Sequence, residues 1–170
     1  ADYLTINISS PNTAGLRDLQ GRAALEALLK ELDYQRKYEQ KTLRKRLPLL
    51  VKLSPDLSDV ELDDALDVIL ATNMDGIIAT NTTLAREGLQ SAHRSETGGL
   101  SGSPLTSRSD AVLHQIIKRI DGKIPVISSG GIMSPDDAKR RLDLGAALVQ
   151  LYSGLIYEGP GLVKKIIRAL

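Results

Sequence analysis

The 170-residue chain has no cysteine, which excludes disulfide frameworks, thiolate metal sites and a cysteine nucleophile. It has no Phe and no Trp, and its only aromatics are five tyrosines, so the core must be aliphatic. No run of about 18 apolar residues occurs, and no stretch reads as a membrane-spanning helix. Excess charge is missing too: 22 Lys+Arg against 21 Asp+Glu leave a formal net charge of +1. That balance removes the case for a nucleic-acid or polyanion partner held by bulk charge. The opening Ala1-Asp2-Tyr3-Leu4 has neither the basic n-region nor the apolar h-region of a signal peptide. There is no initial Met, and a strand-like run begins almost at once. Together with the aliphatic bias, this leads us to expect a segment of something larger. What is present is ordinary: 42% hydrophobic and 25% charged residues, in a length able to bury the core of one domain.

Five short apolar runs recur, each followed by a helical pattern. They are Tyr3–Ile8, Leu49–Leu53, Gly76–Thr80, Pro125–Ser128 and Ala147–Leu151, and runs of this kind read as buried parallel strands. Leu25, Leu28, Leu29 and Leu32 fall at i, i+3, i+4 and i+7, one stripe of an amphipathic helix. Leu113, Ile116, Ile117 and Ile120 form another, closed by Asp121-Gly122. Ser58-Asp59-Val60-Glu61 predicts a capping box ahead of a helix ending near Thr72. Ser134-Pro135-Asp136-Asp137 opens a further helix, which Gly145 stops.

Repeated βα units leave two folds, an open doubly wound sheet or a (β/α) barrel. No Gly-x-Gly-x-x-Gly follows the first strand, so the dinucleotide fingerprint is missing. Asn7, Lys52, Asn81, Ser128 and Tyr152 stand at or near strand C-termini, where a barrel gathers its active site. We therefore expect an α/β chain of the (β/α)8 TIM-barrel class. A complete barrel has eight units in about 250 residues, so five units predict the C-terminal part of one. From Asn81 to about Pro104 no periodicity appears, and a loop that long is usually functional or disordered. The run Arg36–Arg46 holds six basic residues and one acid, and reads as a solvated helix end and loop.

The first strand runs into Asn7-Ile8-Ser9-Ser10-Pro11-Asn12-Thr13. Its amides suit a planar imide or carboxylate ligand. Its hydroxyls could relay a proton, although a serine needs a neighbour or water to act as a base. A turn rich in Asn, Ser and Pro is equally what any loop prefers. Lys52 interrupts an aliphatic strand. A buried ammonium without a partner costs several kcal/mol, so Lys52 is expected to face a ligand carrying negative charge rather than snorkel outward. Thr80-Asn81-Thr82-Thr83 repeats the amide and hydroxyl chemistry at the third strand's end. Gly130-Gly131 and Gly154 follow the next two strands, in positions where barrels often bind phosphate. His93 and His114 share no metal-ligand spacing, and no metal is expected.

Asn7 through Thr13, Val51-Lys52, Ala79 through Thr83, Thr97-Gly98-Gly99-Leu100-Ser101-Gly102 and Leu148 through Ser153 together resemble the dihydroorotate dehydrogenases. These are the flavin enzymes of de novo pyrimidine (UMP) synthesis. The likeness runs the length of the chain and covers the C-terminal half of the family's barrel, strands 4 to 8. It implies that residues 1–170 are part of a single FMN-binding barrel domain. The family's catalytic base is Cys in the soluble class 1 and Ser in the quinone-reducing class 2, and the aligned residue is Ser10, which implies class 2.

By that resemblance Ser10 would remove the C5 proton of dihydroorotate while a hydride leaves C6 for FMN, and Thr13 would orient Ser10 or relay its proton. Asn7, Asn12, Asn81 and Thr82 would hold the pyrimidine and its carboxylate, giving orotate as product. Lys52 would stabilise negative charge on the flavin's N1–O2 edge. Thr80, Gly102, Gly131, Tyr152 and Ser153 would bind FMN, the last three near its phosphate. Quinone would accept the electrons. The implied location is peripheral: the cytoplasmic face of a bacterial inner membrane, or the mitochondrial inner membrane in a eukaryote. That attachment belongs to an N-terminal segment absent from this chain, as are the family's first three strands. Ser128-Ser129 stands where Gly-Val is implied, adding hydroxyls near the phosphate. Two alternatives stay open at this point. One is another FMN- or phosphate-binding barrel oxidoreductase, of the dihydropyrimidine or inosine-monophosphate dehydrogenase kind. The other is an inactive half-barrel that needs its missing N-terminal part.

Overall fold

The computed structural model describes residues 1–43 and 45–170. Five strands, β1 (Leu4–Asn7), β2 (Leu49–Leu53), β3 (Gly76–Ala79), β4 (Val126–Ser129) and β5 (Leu148–Gln150), form one sheet. Every neighbouring pair is parallel, and the spatial order is the chain order. A doubly wound sheet reverses its strand order at a switch point; this one never does, which is the winding of a barrel. The expected strands are all present, slightly trimmed. The fourth starts at Val126 because Pro125 has no N–H to give the ladder; its carbonyl instead accepts from the Ile77 amide at 3.1 Å.

Side chains alternate between two faces. Outward residues of β1 to β4, among them Ile6, Val51, Leu53, Ile77 and Val126, pack beneath three helices in the main core. These are α1 (Arg22–Leu43), α2 (Asp59–Ala71) and α3 (Thr106–Ile120). Each fully buried aliphatic of this size contributes roughly 1.5–3 kcal/mol. A second cluster lies under α4 (Pro135–Asp143) and α6 (Gly161–Ala169), where Ile132, Ala138, Leu162 and Ile166 meet Val149. The short α5 (Ser153–Glu158) joins β5 to α6. Inward, Leu50, Ile78 and Ile127 pack with Tyr3 as a separate small cluster. All three clusters are built on aliphatic side chains, as the composition demands.

The sheet is strongly curled. Laid flat, five strands would separate β1 from β5 by about 19 Å. Yet Gln150, at the end of β5, donates its amide N–H to the hydroxyl of Tyr3, just before β1, at 2.9 Å. The edge strands therefore face each other across a concave interior.

The helix signals hold. Leu25 and Leu29 are fully buried on α1, and Leu28 and Leu32 pack against the same cluster. Ser58 and Glu61 form the reciprocal capping box. Asp121 ends α3 in the left-handed conformation, and the Ser134 hydroxyl accepts from the Asp137 amide at 3.1 Å to cap α4.

One expectation fails. The basic run is not simply solvated: the Arg36 side chain is 7% exposed and is clasped between Asp33 and Asp75, while Arg46 also reaches Asp75. Its aliphatic stem lies along the helix flank and its fork matches two carboxylates, a pairing suited to burial. Arg44 of that run lies outside the described residues. The aperiodic stretch after Asn81 is a loop held by an antiparallel bridge between Thr83 and Leu100. Arg86 donates to the carbonyls of Thr83, Ala85, Glu96 and Gly98 within it.

Candidate active site

Period-two alternation builds the site. On β2, β3 and β4 an aliphatic inward residue (Leu50, Ile78, Ile127) is followed two positions on by a polar one (Lys52, Thr80, Ser129). The aliphatics close a floor, and the polar residues line a cleft of about 530 Å³ at the strands' C-terminal ends. That volume is within the range of ligand and cofactor pockets. Eight of the twelve residues to which the resemblance gave a role line it, Lys52, Thr80, Asn81, Thr82, Gly102, Gly131, Tyr152 and Ser153, as do the strand-end glycines Gly130 and Gly154.

Lys52 is half-buried, and burial alone lowers its pKa below the ordinary lysine value. No carboxylate among the described residues is placed to hold its charge. Thr80 is buried, its amide donating to the Ser129 carbonyl at 2.7 Å and its hydroxyl to the Asn81 carbonyl at 3.0 Å. The Asn81 side-chain N–H₂ donates to the Asn7 amide oxygen and to the Ser9 hydroxyl, both at 3.0 Å. Its own oxygen accepts from the Thr82 amide at 2.8 Å. Asn7 is thus tied to the cleft wall without lining it.

Ser10, Asn12 and Thr13 sit outside the cleft lining. Ser10 is half-buried, and its hydroxyl oxygen accepts from the Asn12 amide at 3.3 Å, a donor that favours charge on that oxygen. The Asn12 side-chain oxygen accepts from the Gly99 amide at 3.1 Å, which joins this loop to the long loop across the cleft. Thr13 is exposed.

On the other wall, Gly130 and Gly131 have φ of 105° and 73°. A Cβ on Gly131 would fall 2.5 Å from the Thr106 Cα, so only glycine fits there. The Thr106 hydroxyl donates to the Gly131 carbonyl at 2.7 Å. The Ser153 hydroxyl donates to that of Ser101 at 2.8 Å, while Tyr152, 78% exposed, stands at the rim. Of the two strand-end serines, only Ser129 lines the cleft. Ser128 is fully buried and its hydroxyl accepts from Arg141 at 3.3 Å. This corrects the expectation of a hydroxyl pair at the site: consecutive strand residues face opposite sides. His114 is exposed on α3, and exposed His93 pairs with Glu96.

Two residues were missed in the sequence. Arg17 donates to the Ser9 carbonyl at 3.2 Å, to Asp56 at 3.0 Å and to the Thr82 carbonyl at 3.1 Å. It thereby ties together the loops after β1, β2 and β3. Asp56 accepts in addition from the Thr83 hydroxyl and the Leu84 amide, and pairs with Arg108 at 3.3 Å. Burial works to raise its carboxyl, but the bonds from Thr83, Leu84 and Arg17 hold it below the usual carboxylate range. The available signal was Asp56 itself, an acid in a Ser-Pro-Asp turn directly after a strand.

Compared with known proteins, residues 1–170 match the family model for dihydroorotate dehydrogenase. The chain belongs to the dihydroorotate dehydrogenase family. Within that family it is 52% identical over 170 residues to the dihydroorotate dehydrogenase (quinone) of Halorhodospira halophila, covering 99% of this chain and 50% of the relative. It is 49% identical to that of Idiomarina loihiensis, covering 100% and 51%. The chain thus spans about half the length of the curated relatives it matches. The crystal structure of an Eimeria tenella dihydroorotate dehydrogenase in complex with ferulenol superposes with a TM-score of 0.92 at 40% identity, covering all of this chain and 49% of that one. The matching part is therefore a partial barrel of the dihydroorotate dehydrogenase fold. The curated relatives are of the quinone class, the class implied by Ser10 and the missing cysteine.

Proposed function

We propose that residues 1–170 form the C-terminal part of a single FMN-binding barrel domain whose full protein is a quinone-dependent dihydroorotate dehydrogenase. It oxidises dihydroorotate to orotate in pyrimidine biosynthesis. The observation that carries this reading is Lys52, a half-buried cation with no carboxylate partner among the described residues, beside the Asn7–Ser9–Asn81 amide and hydroxyl cluster. Such a lysine awaits an anionic or charge-developing ligand.

The donor set fits FMN. The cleft offers the half-buried Lys52 ammonium, several hydroxyls and glycine backbone that a side chain could not replace. Thr80, Gly102, Gly131, Tyr152 and Ser153 would hold the cofactor, with Lys52 as the cation for its N1–O2 edge. When bound, FMN supplies a two-electron acceptor. Asn7, Asn12, Asn81 and Thr82 bind the pyrimidine edge and carboxylate through paired donors and acceptors. Ser10 takes the proton from C5 as a hydride leaves C6, which creates the C5–C6 double bond of orotate. The amide hydrogen bond on the Ser10 oxygen lowers the cost of charge there. Thr13, exposed here, serves as the relay to solvent. A quinone would be the final acceptor of the two electrons. A lipid-phase acceptor places the protein peripherally at a membrane: the cytoplasmic face of a bacterial inner membrane, or the mitochondrial inner membrane in a eukaryote.

The test is an anaerobic absorbance spectrum of the full-length protein with FMN, before and after dihydroorotate. Bleaching of bound flavin is expected, and its loss by about 10²-fold or more in rate in Ser10→Ala. Lys52→Met should bind flavin weakly while unfolding no earlier than the parent. A flavin that binds but stays oxidised on addition of dihydroorotate would sink the substrate assignment.

A further inference from the structure

Arg141, on α4, heads the fully buried side chains by size, and it does not line the cleft. A cation taken wholly out of water must be matched closely by its surroundings. Its guanidinium lies within hydrogen-bond distance of the Gly130 carbonyl at 2.9 Å, the Thr106 carbonyl at 3.1 Å, the Ser109 hydroxyl at 2.6 Å and the Ser128 hydroxyl at 3.3 Å. Asp110 balances the charge at 2.5 Å. Ser109 in turn donates to the same Gly130 carbonyl at 2.8 Å. The acceptors thus lie on the two segments that meet at Gly131: the end of β4 with the loop after it, and the start of α3.

Across a planar trans peptide the carbonyl and the next N–H point in opposite directions. Holding the Gly130 carbonyl toward Arg141, away from water, therefore turns the Gly131 N–H the other way, to the side on which Gly131 lines the cleft. We propose that Arg141 is a positioning residue that locks the Gly130–Gly131 peptide so that the Gly131 N–H stands as a fixed donor for the flavin's phosphate. Ser109 is the second hand on the same carbonyl, and Ser128 steadies the guanidinium from the strand. The proposal rests on the FMN reading above and adds the device that gives that site its preference for a phosphorylated flavin.

The experiment titrates the apoprotein of the full-length chain with FMN and, separately, with riboflavin, which lacks only the phosphate, following flavin fluorescence. The parent should prefer FMN. Arg141→Met should lose about tenfold or more of that preference, as expected for a lost charge-assisted hold, with riboflavin affinity unchanged. Arg141→Lys should restore part of it, and Ser109→Ala should lose a smaller part. A role confined to stability would weaken both flavins alike. If Arg141→Met does not fold, Ser109→Ala decides: a preference equal to the parent's overturns the proposal. A parent that prefers FMN with variants that keep the full preference overturns this proposal alone. A parent that binds riboflavin as tightly as FMN overturns the phosphate reading beneath it, and the proposal with it.

Discussion

Two aspartates stand at opposite ends of the sheet, each clamped by two arginines and each capping a backbone amide. Asp75, just before β3, is held by Arg36 and Arg46 and accepts from the Leu49 amide at 2.8 Å. Asp56, after β2, is held by Arg17 and Arg108 and accepts from the Leu84 amide at 2.9 Å. The chemistry is nearly the same, but what hangs on it differs. Asp75 fastens the end of α1 to the N-terminal rim of the strands, a face that in barrels serves stability. Asp56 and Arg17 fasten the loops bearing Ser9, Ser10, Asn81 and Thr82, on the face where barrels do chemistry. Similar clamps at the two rims therefore serve stability at one and site geometry at the other.

The strongest way to break this contrast is Asp75→Ala. Removing one of the two carboxylates that clasp the Arg36 guanidinium, with Asp33 left in place, should cost about 2 kcal/mol of stability in denaturant unfolding, while the KM for dihydroorotate in the full-length protein that remains folded stays unchanged; a shifted KM would refute the division. Asp56→Ala should show the reverse profile. Loosening three loops at once is expected to lower kcat/KM by about 10²-fold, with a smaller loss of stability, and equal profiles for the two variants would erase the contrast. The mildest test is acid titration. In both carboxyls burial pushes upward but is outweighed by donors, so their folded pKa lies below the unfolded value. Their stabilisation is full above the unfolded value, about 4, and disappears as pH falls through the depressed folded values. Unfolding midpoints should thus drop with acid below about pH 4, with a shallower slope in either variant. Unchanged slopes in both would mean that the clamps carry no linked protons.

What could be read in the sequence was local. The strands, the Leu25–Leu32 stripe and the Ser58 and Ser134 caps depend on residues a few positions apart, and they fell where expected. The cleft was legible wherever a polar residue interrupted an aliphatic strand, as Lys52 does. Long arginines were not legible. Arg17 and Asp56 lie 39 residues apart, as do Arg36 and Asp75, and only folding brings each pair together. Ser128 was misread because its neighbour Ser129, not Ser128, shares a face with Ile127.

Arg86 has a consequence for binding. By grasping the carbonyls of Thr83 and Ala85 with one arm and those of Glu96 and Gly98 with the other, it draws the two ends of a long loop together like a drawstring. The closure entropy of that loop is met inside the chain, before anything enters the cleft. An incoming ligand therefore need not spend its contacts on ordering the rim, and more of its interaction energy survives as affinity.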